Sequence, residues 1–268
     1  MEGTSQNFAE WFHDNEQSSV RSVSGVAQIP DVLNVGELFT VYQPLVDFDT
    51  GEVFAFEAVV RSTSEYFINP PELFAQAIKT QYCGALGRMI RQLAVRGCSS
   101  YPLFLNVHPH EFNEGWLVRP DDPIFTHECG IYLEVTESVP LSHAAECHSV
   151  LRELRHKGIQ VAVDDLGAGY SNLKYIADLA PDVVKLDREL IVNVGIDRRL
   201  RMLVTSLVRL CENMEAKVVA EGIEDLEELQ VLRDIGVHYG QGYFLARPDS
   251  TPPMLSLDPL GTPHRRSW

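Results

Sequence analysis

Between residues 161 and 221 one arrangement recurs. Val161-Ala162-Val163 runs into Asp164-Asp165, Val183-Val184 into Lys185-Leu186-Asp187, and Val218-Val219-Ala220 into Glu221. The segments around these runs carry apolar residues at helical spacing. Leu200, Leu203, Val204, Leu207, Val208 and Cys211 form one stripe behind Asp197, a side chain suited to capping a helix N-terminus. Leu226, Leu229, Leu232 and Ile235 form another that stops at Gly236, and Val150, Leu151 and Leu154 lead to Gly158. Short β-branched runs alternating with helices read as parallel strands in βα units, buried on both faces.

The pattern extends upstream, where Val53-Phe-Ala-Phe56 leads into Glu57, Leu103-Phe-Leu105 into Asn106 and Ile131-Tyr-Leu133 into Glu134. A carboxylate at a strand end is costly to bury unless it binds something. In a (β/α)8 barrel every strand C-terminus opens on one face, which is where barrel enzymes work. Oxygen donors converging there point to a site for hard divalent cations.

The totals agree with a single barrel. The chain has 268 residues and 45% hydrophobic content, against about 250 residues typical of the fold. No run approaches the ~20 apolar residues of a membrane span, and Met1-Glu-Gly-Thr-Ser-Gln-Asn7 has neither a basic start nor an apolar core. A secretory signal and a membrane partner are therefore not expected. Cys83, Cys98, Cys129, Cys147 and Cys211 are scattered and odd in number, with no C-x-x-C pair. That favours a reducing cytoplasm over a disulfide framework. The formal net charge of −16 disfavours duplex nucleic acid, whose affinity comes from Lys and Arg on phosphates. A small phosphate ester stays open if metal ions reverse the local sign of the pocket. Residues 1–36 are expected to be a polar leader, a short helix or disordered, with an apolar patch at Phe8, Trp11 and Phe12. The barrel is expected over 37–248, and an irregular tail with Pro252, Pro253, Pro259 and Pro263 over 249–268.

Eight motifs occur in order: Tyr42-Gln-Pro-Leu-Val46, Phe56-Glu-Ala-Val-Val-Arg61, Leu105-Asn-Val107, Leu133-Glu-Val-Thr-Glu-Ser138, Asp164-Asp-Leu-Gly-Ala-Gly-Tyr-Ser171, Val184-Lys-Leu-Asp187, Ala220-Glu-Gly-Ile-Glu224 and Gln241-Gly-Tyr243. Together they closely resemble the EAL domain, the cyclic di-GMP phosphodiesterase family of bacterial signalling. The resemblance covers residues 38 to 248. It implies a TIM-like (β/α)8 barrel whose first strand is antiparallel to the others. It also implies hydrolysis of one phosphodiester of cyclic di-GMP to linear pGpG, with Mg²⁺ or Mn²⁺; Ca²⁺, which takes longer bonds and more ligands, is expected to inhibit such a two-ion site. Carried over by position, the metal ligands are Glu57, Asn106, Glu134, Asp164, Asp165 and Glu221. Lys185 contacts the attacking water, Arg61 a substrate phosphate, and Gln241 lies at the margin near the water and the second metal. Glu137 pins the loop after Asp164-Asp165. The family further implies a homodimer with that loop near the interface.

The chemistry of the residues fits this assignment. Carboxylate and amide oxygens suit Mg²⁺ and Mn²⁺ rather than structural zinc. Without metal, such a cluster repels a phosphodiester. Two divalent ions about 3.5–4 Å apart would instead activate a water and stabilise the leaving alkoxide. Taken singly, each position also has a plainer reading: Asn106 satisfying loop backbone, Lys185 a solvated charge, a lone Glu a salt-bridge partner. Tyr170 and Tyr243 read as packing residues. His108 and His110 have H-x-H spacing, but Pro109 lies between them and no third soft ligand is nearby.

Several positions depart from the family pattern. Val59 takes the last place of the signature tripeptide, Ser62 follows the arginine, Leu166 and Ala168 alter the loop, and His108 follows the Asn106 strand. None removes a proposed ligand. A catalytically silent member serving as a cyclic di-GMP receptor or protein-interaction module is the alternative, and it is disfavoured because every ligand position is filled.

Overall fold

The computed structural model describes residues 37–64, 70–136, 144–167, 173–259 and 261–265. The apolar runs pair edge to edge into a closed barrel in the order β1 to β8. The strands are β1 (Leu38–Asp47), β2 (Val53–Ser62), β3 (Leu103–Asn106), β4 (Ile131–Thr136), β5 (Gln160–Leu166), β6 (Val183–Leu186), β7 (Lys217–Ala220) and β8 (Tyr239–Gly240). Strand β1 is antiparallel to both β2 and β8, while β2 to β8 pair parallel. The TIM-like barrel with an antiparallel first strand is therefore the fold observed.

The helices follow from the apolar stripes. They are α1 (Pro70–Lys79), α2 (Cys83–Gly97), the single turn α3 (Glu111–Glu114), α4 (Ala144–His156), α5 (Leu173–Leu179), the single turn α6 (Arg188–Ile191), α7 (Arg198–Asn213) and α8 (Leu226–Ile235). Asp197 caps α7, accepting from the backbone N–H groups of Arg199 and Leu200. Gly236 ends α8 in a left-handed conformation. The main core lies between the barrel wall and these helices and includes Phe56, Leu105, Leu133, Val163, Leu186, Val208 and Leu232. No helix among the described residues is long and apolar enough to cross a membrane.

Inside the barrel the strands show a second regularity. Leu45, Ala55, Phe104, Tyr132, Ala162, Val183, Val219 and Tyr239 pack together as an interior floor. Phe104 stacks on Tyr132 at 4.3 Å, and Phe54 on Tyr239 at 4.2 Å. Two residues towards the mouth from each floor residue stand Gln43, Glu57, Asn106, Glu134, Asp164, Lys185, Glu221 and Gln241. Because side chains alternate along a strand with period two, each strand contributes one apolar floor residue, and the polar residue above it lies on the strand or, for Glu221 and Gln241, one position past its end. On β1 the step runs backwards, as its antiparallel direction requires.

Two expectations need correction. Residues 249–268 are not simply irregular: β9 (Leu255–Leu257) and β10 (Pro263–Arg265) form an antiparallel pair. This pair joins the turn between β1 and β2, where the Leu257 N–H donates to the Gly51 carbonyl at 2.7 Å. The strand bearing Glu57 does not end there. It continues to Ser62, since β2 pairs with β1 from end to end and overshoots the short β3. The expectations for residues 1–36 lie outside the described residues.

Candidate metal and active site

The polar residues above the floor form a ring of acceptors around one ammonium. Lys185, at the end of β6, is 1% exposed, and its Nζ lies 2.9 Å from Asp164 Oδ1, 2.7 Å from Glu221 Oε1 and 3.6 Å from Glu57 Oε2. It also forms an ion pair with Glu134. Asn106 Nδ2 donates to Glu57 Oε1 at 3.2 Å, and Gln241 Nε2 donates to Glu57 Oε2 at 2.6 Å. The carboxamide nitrogens are thereby turned to the carboxylates, which leaves carbonyl oxygens as the donors for a cation.

Asp165 presents a separate problem, because consecutive strand residues normally face opposite sides. The structure solves it with a local distortion. The pairing of β5 with β6 shifts register between Val163 and Leu166, and Asp165 adopts φ 58°. Asp is among the few non-glycine residues that visit this left-handed region, at a cost of about 1–2 kcal/mol. In return both neighbouring carboxylates reach the mouth. Oxygens of Asp164, Asp165 and Glu221 all lie within 4.8 Å of one another.

The ring is electrostatically unbalanced. Glu57, Glu134, Asp164, Asp165 and Glu221 face a single lysine. Burial pushes the Glu134 carboxyl well above its usual range, and the charges of Glu57 and Asp164 add to the push against the opposing pull of Lys185. Burial likewise raises Asp164. Asp165 is pushed up to about 10 by burial and by the charges of Asp164 and Glu221. Glu221 is pushed up to about 8, mainly by burial. Glu57 alone moves down: burial raises it, but Lys185 and the hydrogen bonds from Gln241 and Asn106 prevail. Burial disfavours the ammonium of Lys185, yet the surrounding carboxylates raise it well above its ordinary value. Among the described residues, Glu134 Oε2 and Asp165 Oδ2 are buried without a hydrogen-bond partner. Buried carboxylate oxygens with no donor are costly. An oxygen-seeking divalent cation relieves that cost, so the donor set fits Mg²⁺ or Mn²⁺.

Eight of the expected residues thus meet at one mouth: Glu57, Asn106, Glu134, Asp164, Asp165, Lys185, Glu221 and Gln241. Arg61 stands further out, on the same face of β2 as Glu57 and near enough for its charge to help hold Glu57 down. Its Nη1 donates to the Val60 carbonyl at 3.0 Å. Glu137 lies outside the described residues. The sequence reading missed Gln43, whose Oε1 accepts from Gln241 Nε2 at 3.1 Å and whose Nε2 donates to the Ala246 carbonyl. The signal was present, since Gln43 sits two residues from Leu45 as the ring residues of the other strands sit two from theirs. Asp187 belongs to the scaffold: it caps α6 by accepting from the Glu189 N–H at 2.7 Å.

Fold and site define a TIM-like barrel whose mouth gathers a cluster of oxygen donors with the chemistry to take a divalent cation. The chain belongs to the EAL domain family, whose model matches residues 26–248. It is 30% identical to the cyclic di-GMP phosphodiesterase PA2567 of Pseudomonas aeruginosa over 87% of its own length, and spans 42% of that protein. Among solved structures it resembles the manganese/cy-diGMP complex of Klebsiella pneumoniae BlrP1, with 30% identity and TM-score 0.69, over 81% of this chain and 57% of that one. It also resembles the c-di-GMP complex of the PaMucR phosphodiesterase, with 28% identity and TM-score 0.69, over 79% of this chain and 96% of that one.

Proposed function

We propose that this barrel hydrolyses cyclic di-GMP to linear pGpG with the help of two Mg²⁺ or Mn²⁺ ions. The observation that carries the reading is the gathering of six oxygen-donor residues, with Lys185 and Gln241, around one mouth. The relatives named as cyclic di-GMP phosphodiesterases support the choice of substrate. Glu57, Asn106, Glu134, Asp164, Asp165 and Glu221 would hold the ions, which supply a nucleophile at neutral pH and charge neutralisation on the phosphoryl oxygens.

The chain's own residues divide the remaining work. Lys185, fixed among four carboxylates, orients the attacking water and meets negative charge as it develops. Gln241 is held between Gln43 and Glu57 and bounds the water's position from β8. Arg61, outward along β2, receives a phosphate. The apolar floor excludes water from below, and so strengthens each of these interactions. The free state of all five cysteines suits a cytoplasmic setting.

Purified protein incubated with cyclic di-GMP and Mg²⁺ or Mn²⁺ should give pGpG, resolved by chromatography. Ca²⁺ takes longer bonds and more ligands, so it should stop the reaction, as should excess chelator. Equal turnover in Ca²⁺, or full activity in chelator, would refute the two-metal reading.

A further inference from the structure

Outside the ring, the described residues hold another buried ionic group, on the outer side of the wall beside β3. Arg91 of α2 is 1% exposed and lies between two carboxylates, Glu111 and Asp122, each fully buried. Its Nη1 meets Glu111 Oε2 at 2.6 Å, its Nη2 meets Asp122 Oδ2 at 2.8 Å, and its Nε reaches Asp122 Oδ1 at 3.2 Å. Helix α2 is shaped to admit them. A Cβ on Gly87 would stand 1.9 Å from Glu111 Oε2, so only glycine leaves the carboxylate its place one turn before Arg91. Gly84, one turn earlier, donates its N–H to Glu114 Oε2 at 2.8 Å. Gly84, Gly87 and Arg91 follow helical spacing, and together they clasp the segment that leaves β3.

The clasp reaches towards the site. The second oxygen of Glu111, Oε1, accepts from the backbone N–H of His108 at 3.0 Å. His108 is two residues past Asn106, its ring buried and stacked on Phe74 at 5.4 Å. On the other side the Val107 N–H donates to the Glu134 carbonyl at 3.1 Å. The backbone just beyond Asn106 is thus held from two directions, by the barrel ladder at Val107 and by Glu111 at His108.

A fully buried guanidinium with two carboxylates is expensive to assemble, and apolar packing of the same volume is often as stable. Its geometry, rather than its contribution to stability, is what distinguishes it here. From Arg91 and Glu111 we infer a positioning relay: Arg91 orients Glu111, Glu111 fixes the His108 amide, and the fixed strand exit presents the Asn106 carboxamide to the carboxylate ring. The inference rests on the proposed reading of Asn106 as a metal ligand.

A double-mutant cycle on Mn²⁺ affinity, measured by isothermal titration calorimetry on the full chain without substrate, tests it. Asn106→Ala should weaken Mn²⁺ binding about tenfold, or ~1.4 kcal/mol. Arg91→Met should weaken it several-fold, and the double variant should bind no worse than Asn106→Ala alone. A purely structural role would lower the melting temperature and leave Mn²⁺ affinity unchanged at low temperature. Glu111→Gln carries the same expectation at constant volume, because a carboxamide offers one acceptor where the relay needs two. It serves if Arg91→Met does not fold. Wild-type affinity in the folded Arg91 or Glu111 variant, or effects that simply add to that of Asn106→Ala, would overturn the relay while leaving the metal reading intact. Absence of Mn²⁺ binding by the unaltered protein would overturn both.

Discussion

Lys185 and Glu57 are neighbours in the ring, yet their removal should have different consequences. Lys185→Ala removes the group that orients water and leaves the proposed ligands in place. Its kcat should fall about a hundredfold to a thousandfold, while the Kd for cyclic di-GMP measured in Ca²⁺ stays within a few-fold of wild type. Glu57→Ala removes a proposed ligand that also anchors Asn106 and Gln241, so Mn²⁺ affinity and turnover should fall together. Stopped-turnover binding and steady-state kinetics separate the two cases. Wild-type turnover in Lys185→Ala would leave the lysine without its proposed role. At this scale the ring was legible in the sequence because charged side chains interrupt apolar runs. Gln43 was harder to read: its two-residue step from Leu45 is in the sequence, but a neutral amide in a strand is unremarkable until its register is known. Arg91 was hidden for the opposite reason: an arginine among helical polar residues reads as surface, and its two carboxylates are distant in sequence.

Among the elements, β5 and its exit carry the most local distortion. Gly167 follows directly with φ 111°, and a Cβ there would meet Leu190 at 2.4 Å. Gly167→Ala should therefore destabilise the fold by about 1–3 kcal/mol, read as a lowered urea midpoint with unchanged m-value. An unaltered midpoint would show that the turn relaxes freely. Helix limits set by Asp197 and Gly236 followed from local chemistry and were legible. The β9–β10 pair was obscured by its prolines. Pro263 opens β10, a position in which its missing N–H costs little. Chain termination after residue 250 removes this pair and its contact with Gly51, and should lower the melting temperature by several degrees. No shift would mean that the pair contributes nothing to closing the barrel bottom.

For the molecule as a whole, acid stability should bear the mark of His238. Burial, with Lys217 adding, holds its imidazole below the usual 6.5, and Nδ1 accepts from the Val218 N–H at 3.2 Å. Between 6.5 and the lowered value the unfolded chain binds the extra proton, so stability declines as pH falls through that window. His238→Asn keeps an acceptor without the titration and should flatten the decline in a series of thermal melts from pH 7 to 5. Identical slopes would exclude the contribution. Assembly is the second property at this scale. Leu173, at the start of α5, is 47% exposed, and Ile196 and Met202 beside and within α7 are 77% and 61% exposed. These suit an isologous homodimer, which sedimentation at micromolar concentration should detect. A monomer with undiminished activity on dilution would exclude a regulatory dimer.

The step of two residues between floor and ring has a consequence for how such a barrel can change over generations. Each polar position stands on its own strand, above its own apolar support, so its identity is nearly independent of the packing that holds the wall together. Substituting one ring residue leaves the eight supports beneath it untouched, so the apolar packing of the floor is spared even when chemistry is lost. Deleting a single residue within a strand does the reverse, turning that strand's outward side chains inward and exchanging floor for wall. Drift by substitution therefore has an open route from enzyme to silent receptor, and back again, whereas drift by insertion or deletion is confined to the connections between strands.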